Sequence, residues 1–338
     1  MTPNARFTEL IADINPSPTT NARSKTAHSA VREALWADEG YRDQLIRDFL
    51  GGSYKRQTAI RPVTKNGDTE RPDVDIYIVV RGGPGTTTPE ELIDDLFRAL
   101  DRNRKRLNIT RLKRNRCSIA ISTNSADMDI SLLLERQSDG YYRIGNRTTG
   151  EWYATDPEEH SNWSSRRNEA LSERFKPTVK LLKWARRENP TQNRHPKSFA
   201  LEAIVGAHMS GTESHYGKIV HGMFDRFVDA YSFERSLGMC PSIEDPAIPG
   251  ADLLAGVTGE AFSAYYDKIK AHRDDAARAL GADDQEKATR YWRRIFGDRF
   301  PAAKSDANAS TAKSAAVMSP LAFPSESART SRRPAKFA

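Results

Sequence analysis

The stretch Arg71-Pro-Asp-Val-Asp-Ile-Tyr-Ile-Val-Val80 decides the fold, because it combines a clear strand pattern with two acids at its start. Residues 74 to 80 are rich in β-branched and aromatic side chains, which is typical of a buried or half-buried strand. Because strand side chains alternate between faces, Asp73 and Asp75 share one face, and Val74 and Ile76 point into the opposite apolar layer. Two carboxylates so close repel each other unless a cation lies between them. A lone pair of this kind is more often a solvated pair of acids than a metal site.

A third acid follows on a second predicted strand. Asp129 lies in Asp127-Met-Asp-Ile-Ser-Leu-Leu-Leu134 and could reach the same metals as Asp73 and Asp75 from a neighbouring strand. A pair of Mg²⁺ ions about 3.5 to 4 Å apart would neutralise the acids, activate an attacking hydroxyl and stabilise a leaving pyrophosphate. The three aspartates are therefore predicted as catalytic residues and ligands of two Mg²⁺ ions, or of Mn²⁺ in their place. Asp129 would hold the ion that activates the hydroxyl.

The segment before the acids predicts a phosphate-binding turn. Residues 41 to 50 are predicted to end a helix, with Gly51 as its C-terminal stop and Gly52-Ser53 as a tight turn. Glycine lets backbone N–H groups approach a phosphate, and Ser53 offers a hydroxyl donor. The alternative interpretation is a plain helix C-cap followed by a turn.

These motifs together resemble a known family. Gly52-Ser-Tyr-Lys-Arg-Gln-Thr58, followed by Asp73, Asp75 and Asp129, is similar to the nucleotidyltransferases of the polymerase-β superfamily. Within that superfamily, the chain most resembles the cGAS/DncV-like CD-NTases, bacterial relatives of cyclic GMP-AMP synthase that signal in antiphage defence (CBASS). The resemblance spans roughly residues 40 to 300 and continues through three more stretches: Trp152-Tyr-Ala-Thr-Asp-Pro157, Val179-Lys-Leu-Leu-Lys-Trp184 and Lys197-Ser-Phe-Ala-Leu-Glu202.

The resemblance implies both a fold and an activity. The fold would be α+β, with a polymerase-β-like sheet lobe, an N-terminal helix that braces both lobes, and a C-terminal helical lobe. The activity would be Mg²⁺-dependent synthesis of a cyclic oligonucleotide second messenger from nucleoside triphosphates, ATP among them, in the cytoplasm. Nucleic acid would not be required. Residues 1–165 would form the N-terminal helices and catalytic lobe, residues 166–301 the helical lobe, and residues 302–338 a disordered tail.

The resemblance also assigns the nucleotide-binding residues. Gly52, Ser53, Lys183 and Ser198 would contact the donor phosphates, and Phe199 would stack on the donor base. Local patterns leave other interpretations open. Lys183 lies on a basic helix face with Lys180 and Arg187, Ser198 is a natural N-cap of the helix that follows, and Phe199 could equally be a core residue.

Two departures from the family pattern stand out. Ser53 and Asp73 are 20 positions apart, a longer gap than usual, because an Asn66-Gly67 hairpin signal is inserted. The animal enzyme also carries a zinc thumb built from His and Cys, whereas Cys117 and Cys240 are isolated here. Sensing of double-stranded DNA by that route is therefore not implied.

Composition and charge set outer limits on the function. The chain has 338 residues, 38% of them hydrophobic, and a net charge of +7, which suits an anionic ligand. No apolar run reaches the ~20 residues that a membrane span needs, and two unpaired cysteines fit a reducing cytoplasm. Residues 97 to 116 contain nine Lys or Arg and one acid. This basic segment is interpreted as a solvated helix end and hairpin, or else as a phosphate-contacting surface.

The remaining patterns order the elements along the chain. The glycine-rich loop of residues 81 to 89 is predicted as a flexible lid over the acids. A helix from Pro89 to about Asn103 and paired strands at residues 117 to 122 and 128 to 135 complete the sheet lobe. Apolar spacing predicts further helices over residues 168–187, 199–208, 219–231, 258–280 and 284–296.

Three alternatives to the cyclic product stay open at this point. The same site could make linear oligoadenylate, or add a nucleotide to an RNA end. A basic nucleic-acid-binding protein with an inactive site is the third alternative. Some CD-NTases are also attached through a terminal Gly or Ala to another protein by a ubiquitin-transfer-like partner, which would make Ala338 a conjugation site.

Overall fold

The fold is taken from a computed structural model that describes residues 2–65, 68, 69, 71, 73–191 and 195–303. The predicted hairpin tip at Asn66-Gly67, all but the first two residues of the predicted tail, and Ala338 lie outside these residues. The chain up to Pro301 forms one compact unit. No helix in the described ranges is long and apolar enough to cross a bilayer.

Most of the helical residues that the structure describes lie at the N-terminus and in the second half of the chain, and two further helices lie among the strands. Within the described residues the helices are α1 Asn4–Ile14, α2 Pro18–Ala37, α3 Gly52–Arg56, α4 Pro89–Arg102, α5 Pro157–Ala170, α6 Phe175–Glu188, α7 Ser198–His208, α8 Tyr216–Ala230, α9 Ser232–Ser236, α10 Gly259–Leu280 and α11 Gln285–Phe296.

The strands lie mostly between the two helical regions. In the described ranges they are β1 Leu45–Gly51, β2 Thr64–Lys65, β3 Asp68–Thr69, β4 Asp73–Val80, β5 Arg111–Arg114, β6 Ser118–Ser122, β7 Asp127–Leu134, β8 Tyr142–Gly145, β9 Trp152–Thr155, β10 Glu244–Asp245 and β11 Ile248–Asp252.

A seven-stranded mixed sheet forms the sheet lobe. Its strand order is β1-β4-β7-β6-β5, with β8 paired to the end of β7 and β9 paired to β8. The central pair β4 and β7 is parallel, and the other pairs are antiparallel. A parallel pair needs a crossover, and the connection that contains α4 supplies it. The two acid-bearing strands are therefore neighbours that start at the same edge of the sheet.

Each lobe has a large hydrophobic core of its own. In the sheet lobe, Val74 and Ile76 of β4 are fully buried against the apolar face of α4, which includes Leu96 and Leu100. The larger core belongs to the helical lobe and includes the fully buried Trp184 and Trp292. Helix α1 packs its own apolar stripe, Phe7, Leu10 and Ile14, into this second core. The predicted α+β fold class is thus observed, with an N-terminal helix seated on the helical lobe.

Residues 45 to 51 contradict the prediction of a helix end before Gly52. They form the edge strand β1, whose backbone pairs antiparallel with β4 from Leu45 opposite Val80 to Gly51 opposite Asp75. Short apolar runs fit a strand or a helix equally well, and here the free edge of β4 decides between them. The turn predicted at Gly52-Ser53 is instead the first turn of the short helix α3.

Two further predictions need correction. The helix predicted over residues 168–187 is broken, because Ser172 and Glu173 adopt left-handed backbone conformations between α5 and α6. The loop after Val80 cannot act as a lid over the acids. It follows the far end of β4, and the seven residue steps from Asp73 to Val80 span roughly 23 Å.

Candidate active site

The three predicted carboxylates meet on one face of the sheet. Strand β4 pairs with β7 in a register that places Asp73 opposite Asp127 and Asp75 opposite Asp129. Residues opposite each other in neighbouring strands project to the same face, so these four acids form two rows at the edge of the sheet. Asp127 forms an ion pair with Arg71, whose Nη1 lies 3.3 Å from Oδ1 of Asp127. The other three acids make no ion pair of this kind among the described residues.

Gly52 lies directly against one of these carboxylates. Its φ is +61°, and a Cβ added to it would come within 1.6 Å of Oδ2 of Asp75. The neighbouring Gly51 is opposite Asp75 in the β1–β4 pair. Only glycine fits at position 52, both because of its positive φ and because of the close approach. The first helical turn of α3 is therefore held against the acids.

A cleft beside the acids gathers several of the predicted nucleotide-binding residues. Ser53, Lys183 and Ser198 line it, together with the predicted metal ligand Asp73. Its walls also carry the guanidinium groups of Arg71, Arg186 and Arg187. The basic side chains outnumber the acids on these walls, so the cleft suits an anionic ligand next to Asp73.

Comparison with known proteins identifies the family of this site. Residues 1–168 match the Second Messenger Oligonucleotide or Dinucleotide Synthetase domain. The chain is 37% identical to a cyclic AMP-AMP-AMP synthase from an Acinetobacter species, over 96% of this chain and 95% of that protein. The chain belongs to this family of synthetases, the CD-NTases. It is a nucleotidyltransferase of the cyclic-oligonucleotide synthase type.

Solved structures confirm the fold of this CD-NTase. Bradyrhizobium diazoefficiens CdnG in complex with GTP superimposes with a TM-score of 0.72 at 16% identity, over 88% of this chain and 96% of that one. Escherichia coli CdnC with ATP gives a TM-score of 0.69 at 22% identity, over 88% of this chain and 98% of that one. These structures confirm the fold, and the 37% identical relative confirms the family resemblance.

The acids of the CD-NTase site are electrostatically unsatisfied. Desolvation, followed by the repulsion of Asp75, Asp129 and Asp127, raises the pKa of Asp73 to about 7. Burial and the charge of Asp129 also raise the pKa of Asp75, although Arg56 and Lys183 oppose that rise. Burial raises the pKa of Asp129 as well. Carboxylates that resist ionisation in each other's presence gain from a bound cation.

Asp129 is oriented by two polar neighbours. Nδ2 of Asn115 donates to Oδ1 of Asp129 at 3.3 Å, and a hydrogen bond from Ser118 also lowers the pKa of this carboxyl against the effect of burial. The same Nδ2 lies 3.3 Å from Oγ of Ser118. Both residues flank the turn that opens β6, so the strand next to β7 supplies the support.

The donor set fits magnesium in its chemistry. Carboxylate oxygens are the hard ligands that Mg²⁺ takes in proteins, and Asp73, Asp75 and Asp129 supply them at one edge of the sheet. Within the described ranges, however, no three His, Cys, Asp or Glu side chains already converge as a formed metal site.

Ser198 and Phe199 differ from the local predictions. Ser198 is the first residue of α7 and not its N-cap, since Lys197 holds that position. The Ser198 hydroxyl accepts a hydrogen bond from Nη2 of Arg186 at 3.0 Å. The Phe199 ring is covered by the guanidinium of Arg56, 4.8 Å from its centroid, and by the His160 ring at 4.2 Å. The aromatic ring that does line the cleft is that of Tyr54.

Lys183 lines the cleft but its ammonium is already engaged. The side chain is buried, and Nζ donates to Oε1 of Glu202 at 2.7 Å and to Oγ1 of Thr58 at 3.1 Å. Sequence reasoning missed Glu202 and Arg56 as partners of this lysine. Both residues stood inside the motifs that carried the family resemblance, yet no local pattern joins an acid of α7 to a lysine of α6 and an arginine of α3.

The basic segment of residues 97 to 116 is partly neutralised. Arg98, Arg102, Arg104 and Arg114 each lie within 4 Å of an aspartate, namely Asp95, Asp38, Asp101 and Asp94. The Arg114 guanidinium also covers the Phe97 ring. These contacts favour the interpretation of a solvated helix end and hairpin. Its remaining cations, Lys105, Arg106, Arg111, Lys113 and Arg116, are exposed.

Proposed function

We propose that this CD-NTase is a Mg²⁺-dependent synthase that joins ATP into a cyclic oligonucleotide, cyclic tri-AMP first among the candidates, as a second messenger in antiphage defence. The observation that carries the proposal is the register of Asp75 beside Asp129, next to a basic cleft lined by Ser53. The choice of ATP follows the 37% identical relative, which is named a cyclic AMP-AMP-AMP synthase. The ATP and GTP complexes of CdnC and CdnG support triphosphates as ligands of this fold.

The reaction assigns a role to each part of the cleft. A ribose hydroxyl of one nucleotide attacks the α-phosphorus of another, the new P–O bond forms, and the bond to pyrophosphate breaks. When bound, Mg²⁺ would be held by Asp73, Asp75 and Asp129 and would lower the pKa of the attacking hydroxyl. The Asp129 carboxylate would accept that proton. Ser53, with the cations of the cleft, would hold the triphosphate and stabilise its developing charge.

The cytoplasm is the compartment proposed for this activity. Cys117 and Cys240 are both free thiols, which suits a reducing environment. The nucleoside triphosphates that the site would use are also found there.

The experiment is a product analysis with defined substrates. Purified protein is incubated with Mg²⁺ and ATP alone, with each other triphosphate alone, and with all four, and phosphatase-resistant products are identified by mass spectrometry. We expect ATP alone to give a cyclic oligoadenylate. A linear product sensitive to phosphatase would favour the linear synthase, and the absence of product with every triphosphate and with Mn²⁺ would reject the proposal.

A further inference from the structure

A buried cluster of four residues joins the two lobes behind the cleft. Arg56 and Thr58 come from the end of α3 and the loop after it, Lys183 comes from α6, and Glu202 comes from α7. All four are buried, and Glu202 is completely enclosed. Its carboxylate accepts from Lys183 Nζ at 2.7 Å, from Arg56 Nε at 2.9 Å and Nη2 at 3.2 Å, and from Thr58 Oγ1 at 2.8 Å.

The cluster sets two basic side chains, Lys183 and Arg56, against the single carboxylate of Glu202. Burial lowers the pKa of the Lys183 ammonium, and the charge of Glu202 opposes that change. Burial alone would raise the pKa of Glu202, but the charges of Lys183 and Arg56 hold it at about 2. The positive charge of the cluster also acts on the carboxylates of the site, because Arg56 and Lys183 oppose the rise in the pKa of Asp75.

Stability alone does not explain such a cluster. Charges buried away from water lose hydration, and apolar side chains of similar volume often replace a buried ion pair without loss of stability. The location is the more informative fact. Arg56 ends the helix that carries Ser53 and Gly52, and Lys183 lines the cleft itself.

We propose that Glu202 is a positioning residue for triphosphate binding: it fixes Lys183 and Arg56 across the lobe boundary, so that their positive charge and the Ser53 helix face the phosphates together. This inference rests on the proposed function, since it assumes that the cleft takes a nucleoside triphosphate. Glu202 does not itself touch the substrate. It acts through Lys183 and through α3.

Binding of a non-hydrolysable ATP analogue with Mg²⁺, measured by calorimetry, tests the inference. In Glu202→Gln the cations lose their anchor, and we expect the affinity for the analogue to fall by about tenfold or more. The KM for ATP should rise more than kcat falls. Glu260→Gln, which removes one exposed acid from α10, is the matched control and should bind like the wild type.

A double variant separates positioning from a purely structural role. Glu202→Gln combined with Lys183→Met removes one charge of each sign, so its melting temperature should recover from that of Glu202→Gln alone. Its analogue affinity should stay low. Wild-type affinity in Glu202→Gln, or affinity that recovers together with melting temperature in the double variant, would overturn the inference. If Glu202→Gln does not fold, the double variant is compared with Lys183→Met alone, because Lys183 itself lines the cleft. Equal affinity of these two variants supports the action of Glu202 through Lys183, and a clearly weaker double variant overturns it.

Analogue binding and product formation by the wild type distinguish a failure of this inference from a failure of the proposed function. If it binds the analogue but forms no oligonucleotide, the proposed function fails, and the affinity comparison still decides the role of Glu202. If it does not bind the analogue at all, both fail.

Discussion

At the scale of single residues, the three aspartates carry the largest predicted effect. Phosphoryl transfer depends on charge neutralisation and positioning, so Asp129→Asn should lower the rate of pyrophosphate release by about a thousandfold or more. Asp127→Asn is the matched control, because this acid lies on the same strand but is paired with Arg71. It should lose far less activity. Equal losses in both variants would show that a general loss of negative charge, and not the position of Asp129, is responsible.

The raised pKa of Asp73 predicts a pH-dependent gain in stability on its removal. Its folded pKa of about 7 lies above the usual value, so the native state holds a proton that the unfolded state has released. The stability of the folded state therefore falls as pH rises toward 7. In EDTA, Asp73→Asn should raise the melting temperature more at pH 8 than at pH 5.

The same melting-temperature measurements include a control variant and a comparison with Mg²⁺. Asp139 is exposed and its pKa is lowered by a hydrogen bond from Arg143, so Asp139→Asn should give no such gain. Mg²⁺ at pH 8 should stabilise the wild type more than Asp73→Asn. A gain for Asp73→Asn of the same size at both pH values would contradict the raised pKa.

Gly52 gives a steric prediction at the same scale. A methyl group at this position would overlap the Asp75 carboxylate and would require a strained φ. Gly52→Ala should therefore abolish most product formation and lower the melting temperature. Gly85→Ala, in an open loop with nothing near its Cβ, should leave both unchanged. Wild-type activity in Gly52→Ala would refute the contact between α3 and Asp75.

Single residues also show how far the sequence could predict the site. Alternation along β4 predicted that Asp73 and Asp75 share a face, because strand geometry is local. Glu202 could not be assigned in this way, since its partners lie 19 and 146 positions away in the chain. The same holds for the contact of Arg56 with the Phe199 ring, which no local pattern predicts.

At the scale of elements, the predictions succeeded where the pattern was long and periodic. Helices α4, α8, α10 and α11 lie close to their predicted ranges, and Thr258 and Asp284 cap the last two through their side chains. Strand β1 was missed because seven residues of mixed pattern do not distinguish strand from helix. Its pairing with β4, which shows that these residues form a strand, is a tertiary contact.

The basic segment between α4 and β6 yields a prediction for an element. Its exposed cations lie outside the cleft residues, so catalysis should not depend on them. Arg106→Ala combined with Arg111→Ala should leave product yield within about twofold, with or without nuclease treatment. Arg102→Ala, which breaks the pair with Asp38, should lower the melting temperature slightly. Salt-sensitive stimulation by nucleic acid that the double variant loses would restore the phosphate-contacting interpretation.

At the scale of the whole molecule, residues of both lobes line one cleft. The sheet lobe supplies Asp73 and Ser53 to the cleft, and the helical lobe supplies Lys183, Arg186 and Ser198. Asp75 and Asp129 lie next to Asp73 on β4 and β7. Sequence patterns predicted a strand-rich and a helix-rich region, and the family resemblance implied that these regions form two lobes. Neither could predict that a buried ionic cluster joins the lobes, since this depends on how the elements pack.

The central claim is that the three aspartates form the metal centre of a nucleotidyltransferase. Anomalous diffraction from crystals grown with Mn²⁺ and a non-hydrolysable ATP analogue tests it most directly. We expect two Mn²⁺ peaks between the carboxylates of Asp73 and Asp75, one of them also within reach of Asp129, with the triphosphate beside Ser53. An analogue bound in the cleft with no Mn²⁺ at these carboxylates, or with Mn²⁺ bound elsewhere, would contradict the account.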